Sequence, residues 1–145
     1  MVISIFDNDF VTCELDDALP VLKHNWKFEL PGNAFKENVQ HILTEYLVLA
    51  KAYSGLAWLA DTTHLGELDE DVDQWLVTVW EDLLFKQARV KIHAVILGAS
   101  IFADYPMEKF KQDSEEKFKA YNVHLGVFSN ETEAYDWIKQ QQTKL

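Results

Sequence analysis

Four consecutive side chains, Asp61, Thr62, Thr63 and His64, form the stretch of this chain best suited to chemistry. They follow directly on a run of apolar residues, Leu56–Ala60. A carboxylate and an imidazole can orient each other and act as a general acid–base pair. The threonines add hydroxyl groups that donate and accept hydrogen bonds. The stretch therefore predicts a ligand or partner site, and Asp61 with His64 is a candidate acid–base pair.

The other groups that could bind a metal or act as a nucleophile form no recognised motif. The five histidines lie in no His-Glu-x-x-His pattern, and no cysteine pair accompanies them. Asp69, Asp71 and Asp73 resemble the start of a calcium loop, but Gln74 stands where that loop needs glycine. We interpret these aspartates as charges that complement a helix dipole. Cys13 has no basic neighbour and is expected to be an inert, half-buried thiol. The sequence predicts neither a metal nor a cofactor.

The elements that position Asp61–His64 follow from the spacing of apolar residues. Leu56–Ala60 is apolar without alternation, which is typical of a strand buried on both faces. Helical patterns flank it, so it belongs to an open sheet, in which ligands meet the carboxyl ends of the strands. Ile92–Leu97 is a second such run. His93 on that run and His124 on the last strand are expected to be ordinary packed or edge histidines.

The first part of the chain predicts three strands and a helix. Val2–Phe6 and Phe10–Leu15 are rich in β-forming residues, and the Asp-Asn-Asp between them suits a hairpin turn. A period of two predicts a third strand over about Val21–Phe28. Asn33 is expected to cap the amphipathic helix that follows, and Gly55 to form its left-handed C-terminal cap.

A second helix is predicted after a loop from Thr62 to Leu68, with Asp69 as its cap. Its apolar stripe is formed by Val72, Trp75, Leu76, Val79, Trp80, Leu83 and Leu84. This stripe covers about half of the helix circumference, which is wider than packing on one sheet requires. We expect Trp75, Trp80 or Leu84 to stay partly uncovered and to line a dimer surface or a ligand pocket.

The end of the chain predicts a charged helix over Pro106–Tyr121, a strand over Val123–Phe128 and a last helix capped by Asn130. The element order is then β-β-β-α-β-α-β-α-β-α. It predicts an α/β fold with a single open mixed sheet, an N-terminal hairpin and about four main helices. Because no linker or repeat divides the sequence, residues 1–145 are expected to form one domain.

Charge and cysteine content narrow the classes of partner and compartment. The formal net charge of −11 argues against nucleic acid and anionic membrane surfaces, and it favours a basic partner. Cys13 is the only cysteine, so no intramolecular disulfide can form, as suits a reducing compartment. The first residues do not resemble a signal peptide, and no apolar stretch is long enough to span a bilayer. We expect a cytoplasmic protein.

Several segments together resemble a known superfamily. Leu59–Thr62 reads Leu-Ala-Asp-Thr, an acidic-capped helix carries Trp75, the strand Lys91–Leu97 follows, and the chain closes with Val127–Ile138. This pattern resembles the STAS-like superfamily, the fold of anti-sigma-factor antagonists, and particularly its small stand-alone bacterial members. The regulatory members carry a phosphorylatable serine in an Asp-Ser-Ser-Gly-like segment. This chain has Thr62–His64 as its nearest approximation, so the resemblance does not extend to that switch.

Two functions from different classes follow. The leading hypothesis is a non-enzymatic regulatory or binding module that acts through a protein partner, a second copy of itself or a small apolar ligand. Its candidate contact residues are Asp61, Thr62, Thr63, His64, Trp75 and Trp80. The alternative is a small enzyme that uses Asp61 and His64 as an acid–base pair. The distance between these two side chains, and a cleft between them, discriminate the two hypotheses.

Overall fold

Six β-strands and three α-helices lie in the described part of the computed structural model, residues 1–28, 32–65, 70–75, 79–80, 82–98 and 119–145. The strands are β1 (Val2–Asp7), β2 (Val11–Asp16), β3 (Val21–Trp26), β4 (Ala57–Thr62), β5 (Ile92–Leu97) and β6 (His124–Phe128). The helices are α1 (Gly32–Ala50), α2 (Glu70–Trp75) and α3 (Glu131–Thr143), and a π-helical turn spans Leu83–Gln87.

All six strands form one mixed sheet in the order β1-β2-β3-β4-β5-β6. The first three strands pair antiparallel, whereas β3, β4, β5 and β6 run parallel. The carboxyl ends of these parallel strands therefore lie along the same edge of the sheet. The predicted α/β class, the mixed sheet and the N-terminal hairpin are confirmed.

The hairpin turn between β1 and β2 is built around Asn8. Its Oδ1 accepts hydrogen bonds from the backbone N–H groups of Phe10 (2.8 Å) and Val11 (3.0 Å). Its amide nitrogen donates to Oδ1 of Asn38 on α1 at 2.8 Å. Asn8 thus makes the side-chain-to-backbone hydrogen bonds for which asparagine is favoured in turns, and it also connects the hairpin to the first helix.

β4 is buried on both faces, as its unbroken apolar sequence predicts. Because side chains alternate along a strand, Ala57 and Leu59 face one core, which includes Ile138 of α3. Trp58 and Ala60 face the other core, beneath α1. The strand also runs through Asp61 to Thr62, two residues further than predicted, so Thr62 ends the strand and does not begin the loop.

α1 covers the Trp58 side of the sheet with Phe35, Val39 and Ile42. It begins at Gly32, so the predicted cap Asn33 is wrong, because that residue lies inside the first turn. At the other end, the N–H groups of residues 52 and 53 both donate to the carbonyl of residue 49 and close the helix early. Gly55 has the predicted positive φ of 74°, but it turns the chain into β4 and does not cap α1.

The predicted second helix is not a single regular α-helix. α2 ends at Trp75, and the later π-helical turn closes with the N–H of Ala88 donating to the carbonyl of Leu83 at 3.1 Å. Wider π-helical winding changes which side chains face the sheet. Of the three residues predicted as alternatives for a partly uncovered surface, Trp75 is partly exposed, whereas Trp80 and Leu84 are buried. The predicted cap Asp69 lies outside the described residues.

α3 packs on the opposite face of the sheet, over β5 and β6. Asn130 caps it as predicted, with Oδ1 accepting the N–H of Glu133 at 2.9 Å. Near its C-terminus, Nε2 of Gln142 donates to the carbonyls of Pro20 (3.0 Å) and Gly55 (3.3 Å). The described residues thus contain three α-helices where about four were predicted, and residues 106–118 of the predicted charged helix lie outside them.

Leu59 offers a direct test of the two-faced strand, because its side chain is fully buried against α3. We expect Leu59→Ala to lower the free energy of unfolding by about 2–5 kcal/mol, from lost apolar contact and an unfilled cavity. Urea denaturation at neutral pH measures the loss. Leu47→Ala removes the same atoms from an exposed position on α1 and is the matched control. Equal losses in the two variants would contradict the burial of β4.

Candidate functional site

Asp61 and Thr62 lie at the carboxyl edge of the parallel strands, where the sequence predicted a site. Thr62 pairs with Leu97, and Asp61 with Ile96, on neighbouring β5. Oγ1 of Thr62 donates to the backbone carbonyl of Ile96 at 2.7 Å. The Thr62 hydroxyl therefore joins the ends of two strands.

Asp61 and Thr63 hold the turn that follows β4. Oδ1 of Asp61 accepts a hydrogen bond from the backbone N–H of Thr63 at 3.1 Å and another from its hydroxyl at 2.5 Å. The carbonyl of Thr63 lies so near Gly98 that a Cβ built on this glycine would approach it to 3.0 Å. A side chain at position 98 would push the two loops apart, so glycine allows this edge to close.

His64 is exposed, and among the described residues no hydrogen bond joins it to Asp61. The next side chain, Leu65, turns inward and is buried. The structure thus brings Asp61, Thr62 and Thr63 into one hydrogen-bonded turn and places His64 at its surface.

Trp75 and Trp80 form a second group, separate from the turn. Trp80 is buried against Trp58 of β4, with ring centroids 5.4 Å apart. Trp75 stacks on Trp80 at 5.9 Å with an interplanar angle of 20°, and Nζ of Lys36 lies 5.6 Å from the Trp75 ring centroid. Within the described part of the chain, no ring contact or hydrogen bond links this group to Asp61 or His64. Aromatic rings therefore run from the middle of the sheet to a half-buried tryptophan.

Two histidines, His24 and His93, flank Trp58, and no special role was predicted for either of them. The His24 ring lies 4.7 Å from the Trp58 ring and the His93 ring 6.4 Å, both edge-on. Neither ring nitrogen of His24 has a hydrogen-bond partner among the described residues, and Nδ1 of His93 has none either. The period of two that places His24 on the same face as Trp26 was the available signal.

Burial sets the protonation of both imidazoles. Desolvation, aided by the neighbouring His93, lowers the pKa of His24 to about 3. Desolvation also lowers the pKa of His93 to about 4; this residue is half-buried as a whole, but its Nδ1 is shielded from solvent. Both rings are therefore neutral at physiological pH and act as polar parts of an aromatic core. Burial likewise raises the pKa of the Cys13 thiol to about 12, in line with an inert cysteine, although this residue is fully and not half buried.

A cleft at the opposite edge of the sheet was also not predicted from the sequence. Its volume is about 320 Å³, and it opens at the amino ends of β4 and β5. The residues that line it are Tyr46, Ala50, Tyr53, Ser54, Gly55, Leu56, Ala88, Arg89, Lys91, Ile92 and Leu145. One signal was available in the sequence, because Arg89 is its single arginine.

No protein-family model, curated protein or solved structure matches this chain. Within the described residues, no helix combines the length and apolar character needed to cross a bilayer.

The two buried histidines make stability depend on acid. They bind protons near pH 6.5 in the unfolded chain, but in the folded chain only near their lowered pKa values of about 3 and 4. The contribution of neutral histidines is complete above pH 6.5. It falls as pH drops from there towards the folded values, by up to about 1.4 kcal/mol per pH unit for each residue.

His24→Phe keeps an aromatic ring and removes one of these titrating groups. We expect the variant to lose less stability than the wild type between about pH 6.5 and pH 4.5. Urea denaturation at a series of pH values measures the difference. Parallel curves for the two proteins would show that His24 is not a buried neutral imidazole.

Proposed function

We propose that this chain is a non-enzymatic regulatory or binding module of the STAS-like type, which acts through a protein partner that contacts Trp75. The resemblance of the sequence to the STAS-like superfamily supports the regulatory part of the proposal. The geometry around Trp75 supports the choice of surface. A second copy of the chain is the first partner to test, because twofold dimers are the commonest assemblies of soluble proteins.

The observation that carries the proposal is the support beneath Trp75. Its ring is half-buried, stacked on the buried Trp80 and approached by Nζ of Lys36. A ring fixed in this way loses little side-chain entropy when a partner covers it. Tryptophan is also among the residues most enriched at the energetic centres of protein interfaces. Val79, close in sequence, is 44% exposed and can add apolar contact.

The charge of the chain favours one kind of partner. With a net charge of −11, the field around the protein attracts basic surfaces and repels acidic ones. In a homodimer the same charge would oppose association, and this repulsion weakens as salt shortens the screening length. A homodimer of this protein should therefore become tighter, not weaker, with added salt.

The hydrogen bonds at the carboxyl edge favour regulation by binding over phosphorylation of the threonines. A phosphate on Thr62 would break its hydrogen bond to the carbonyl of Ile96. A phosphate on Thr63 would face the carboxylate of Asp61, which now accepts its hydroxyl hydrogen bond. Adding about −1.5 to −2 charges beside a carboxylate is unfavourable.

Trp75→Ala tests the proposed surface. We expect the wild type to dimerise as its concentration rises from about 1 μM to about 1 mM, and the variant to stay monomeric. Sedimentation equilibrium in low and high salt measures both proteins. Val48→Ala, at an exposed position on α1, is the control and should leave the dimer unchanged.

The other occupant of this surface is a small apolar ligand, which the same variant addresses. A neutral dye such as Nile red should bind the monomeric wild type more strongly than Trp75→Ala if the ring forms a pocket wall. A strict monomer that binds the dye equally well with and without Trp75 would contradict the proposed role of this surface.

A further inference from the structure

The cleft at the amino ends of β4 and β5 concentrates positive charge in an acidic protein. Arg89 and Lys91 both line it, and none of the described residues around it has an acidic side chain, although the chain contains 24 aspartates and glutamates. Cations on the walls of a concave site focus the electrostatic potential inside it. The cleft is therefore a place where a small anion is attracted, although the protein as a whole carries a net charge of −11.

The two cations are held differently. Nζ of Lys91 donates to the backbone carbonyl of Tyr121 at 2.7 Å, which fixes the ammonium group at the cleft. Arg89 is exposed, and none of the described residues makes a hydrogen bond or an ion pair with its guanidinium group. This also holds for Leu145, which lines the same cleft. The N–H donors of Arg89 are available to a ligand.

The backbone at Arg89 adds a second reason to assign it a role. Its φ is +55°, a left-handed conformation that glycine adopts freely and that other residues rarely adopt. The preceding π-helical turn and the hydrogen bond from the N–H of Val90 to the carbonyl of Leu84 (3.2 Å) hold this conformation. Val90 itself is fully buried. An arginine kept where glycine would be less strained indicates that its side chain is used.

The rest of the lining describes the other parts of a ligand. Tyr53 and Ser54 contribute hydroxyl groups, and neither hydroxyl makes a hydrogen bond to another described residue. Ala50 and the ring of Tyr53, both partly exposed, contribute apolar surface. The cleft volume of about 320 Å³ lies at the small end of the range for ligand sites, roughly 300–1,000 Å³.

We propose that this cleft binds a small organic oxyanion, a carboxylate or a phosphate ester, whose charged group is bound by Arg89 and whose apolar part lies against the partly exposed Ala50 and Tyr53. The planar guanidinium group matches either oxyanion through two parallel hydrogen bonds, and the Lys91 ammonium adds charge. The site lies at the opposite end of the strands from Asp61–His64 and does not depend on the Trp75 surface.

The test uses the full chain labelled with ¹⁵N and titrated separately with benzoate, inorganic phosphate and the neutral benzyl alcohol. We expect saturable shifts at the amides of Ser54, Gly55 and Lys91 with at least one anion, and much weaker binding of the alcohol. Arg89→Gln should weaken anion binding about tenfold or more, since a charge-assisted pair is lost. The better of the two anions identifies the oxyanion as a carboxylate or a phosphate.

Two further variants separate binding from folding. Arg89→Gly relieves the left-handed backbone, so it should raise the melting temperature while it removes anion binding. Asn122→Gly changes the other non-glycine residue with positive φ among those described, outside the cleft lining, and should leave anion binding intact. Unchanged binding in both Arg89 variants, equal binding of the neutral alcohol, or no saturable shift with either anion would overturn the proposal.

Discussion

The burial of Trp58 beneath α1, on a strand whose two faces are both covered, is the constraint on which the rest of this structure depends. β4 is the strand whose two faces are both covered, by α1 on one side and α3 on the other. A large ring on such a strand must be matched by its neighbours. Tyr46, Trp80 and His24 meet it within about 6 Å between ring centroids, so elements far apart in sequence are fixed around one side chain.

This packing has an electrostatic consequence. A ring of neutral imidazole can pack edge-on against tryptophan, whereas a buried imidazolium would carry an unpaired charge with a large desolvation penalty. His24 and His93 thus fit the core only in their neutral forms. Trp80 connects this core to Trp75, and β4 connects it to the turn at Asp61. The two regions singled out from the sequence are therefore supported by the same core.

The features that were predicted correctly from the sequence are those that depend on residues close together in the chain and on their hydrogen-bonding groups. The double burial of β4 followed from an unbroken apolar run, the first turn from Asn8, and the cap of α3 from Asn130, whose Oδ1 accepts the N–H of Glu133. These features depend on a few adjacent residues, so one sequence is enough to recognise them.

Features that depend on tertiary packing were not predicted. A π-helical turn is not visible in a stripe read at 100° per residue, and Leu84, which lies in this turn and was one of three residues considered for a partly uncovered surface, is buried. Asn33 has good capping chemistry, yet α1 begins one residue earlier. The cleft around Arg89 brings the end of α1 together with segments some 35 residues later in the chain. No pattern of neighbouring residues predicts contacts over that distance.

The two candidate regions are of different kinds. At the carboxyl edge, the polar side chains of Thr62 and Thr63 mainly hold the backbone. The surface proposed to bind a protein partner is the separate one around Trp75. At the amino edge, the exposed guanidinium group of Arg89 lies beside hydroxyl groups and apolar surface.

The packing around Trp58 requires that the two histidines in this core are neutral. NMR spectroscopy of the imidazole rings tests this requirement directly. A ¹H–¹⁵N long-range correlation series on the full chain, from about pH 8 to pH 5, reports the protonation of each ring. We expect His24 and His93 to remain neutral throughout this range. Titration of His24 near the ordinary value of about 6.5 would contradict it, because such an imidazole could not lie unpaired against Trp58.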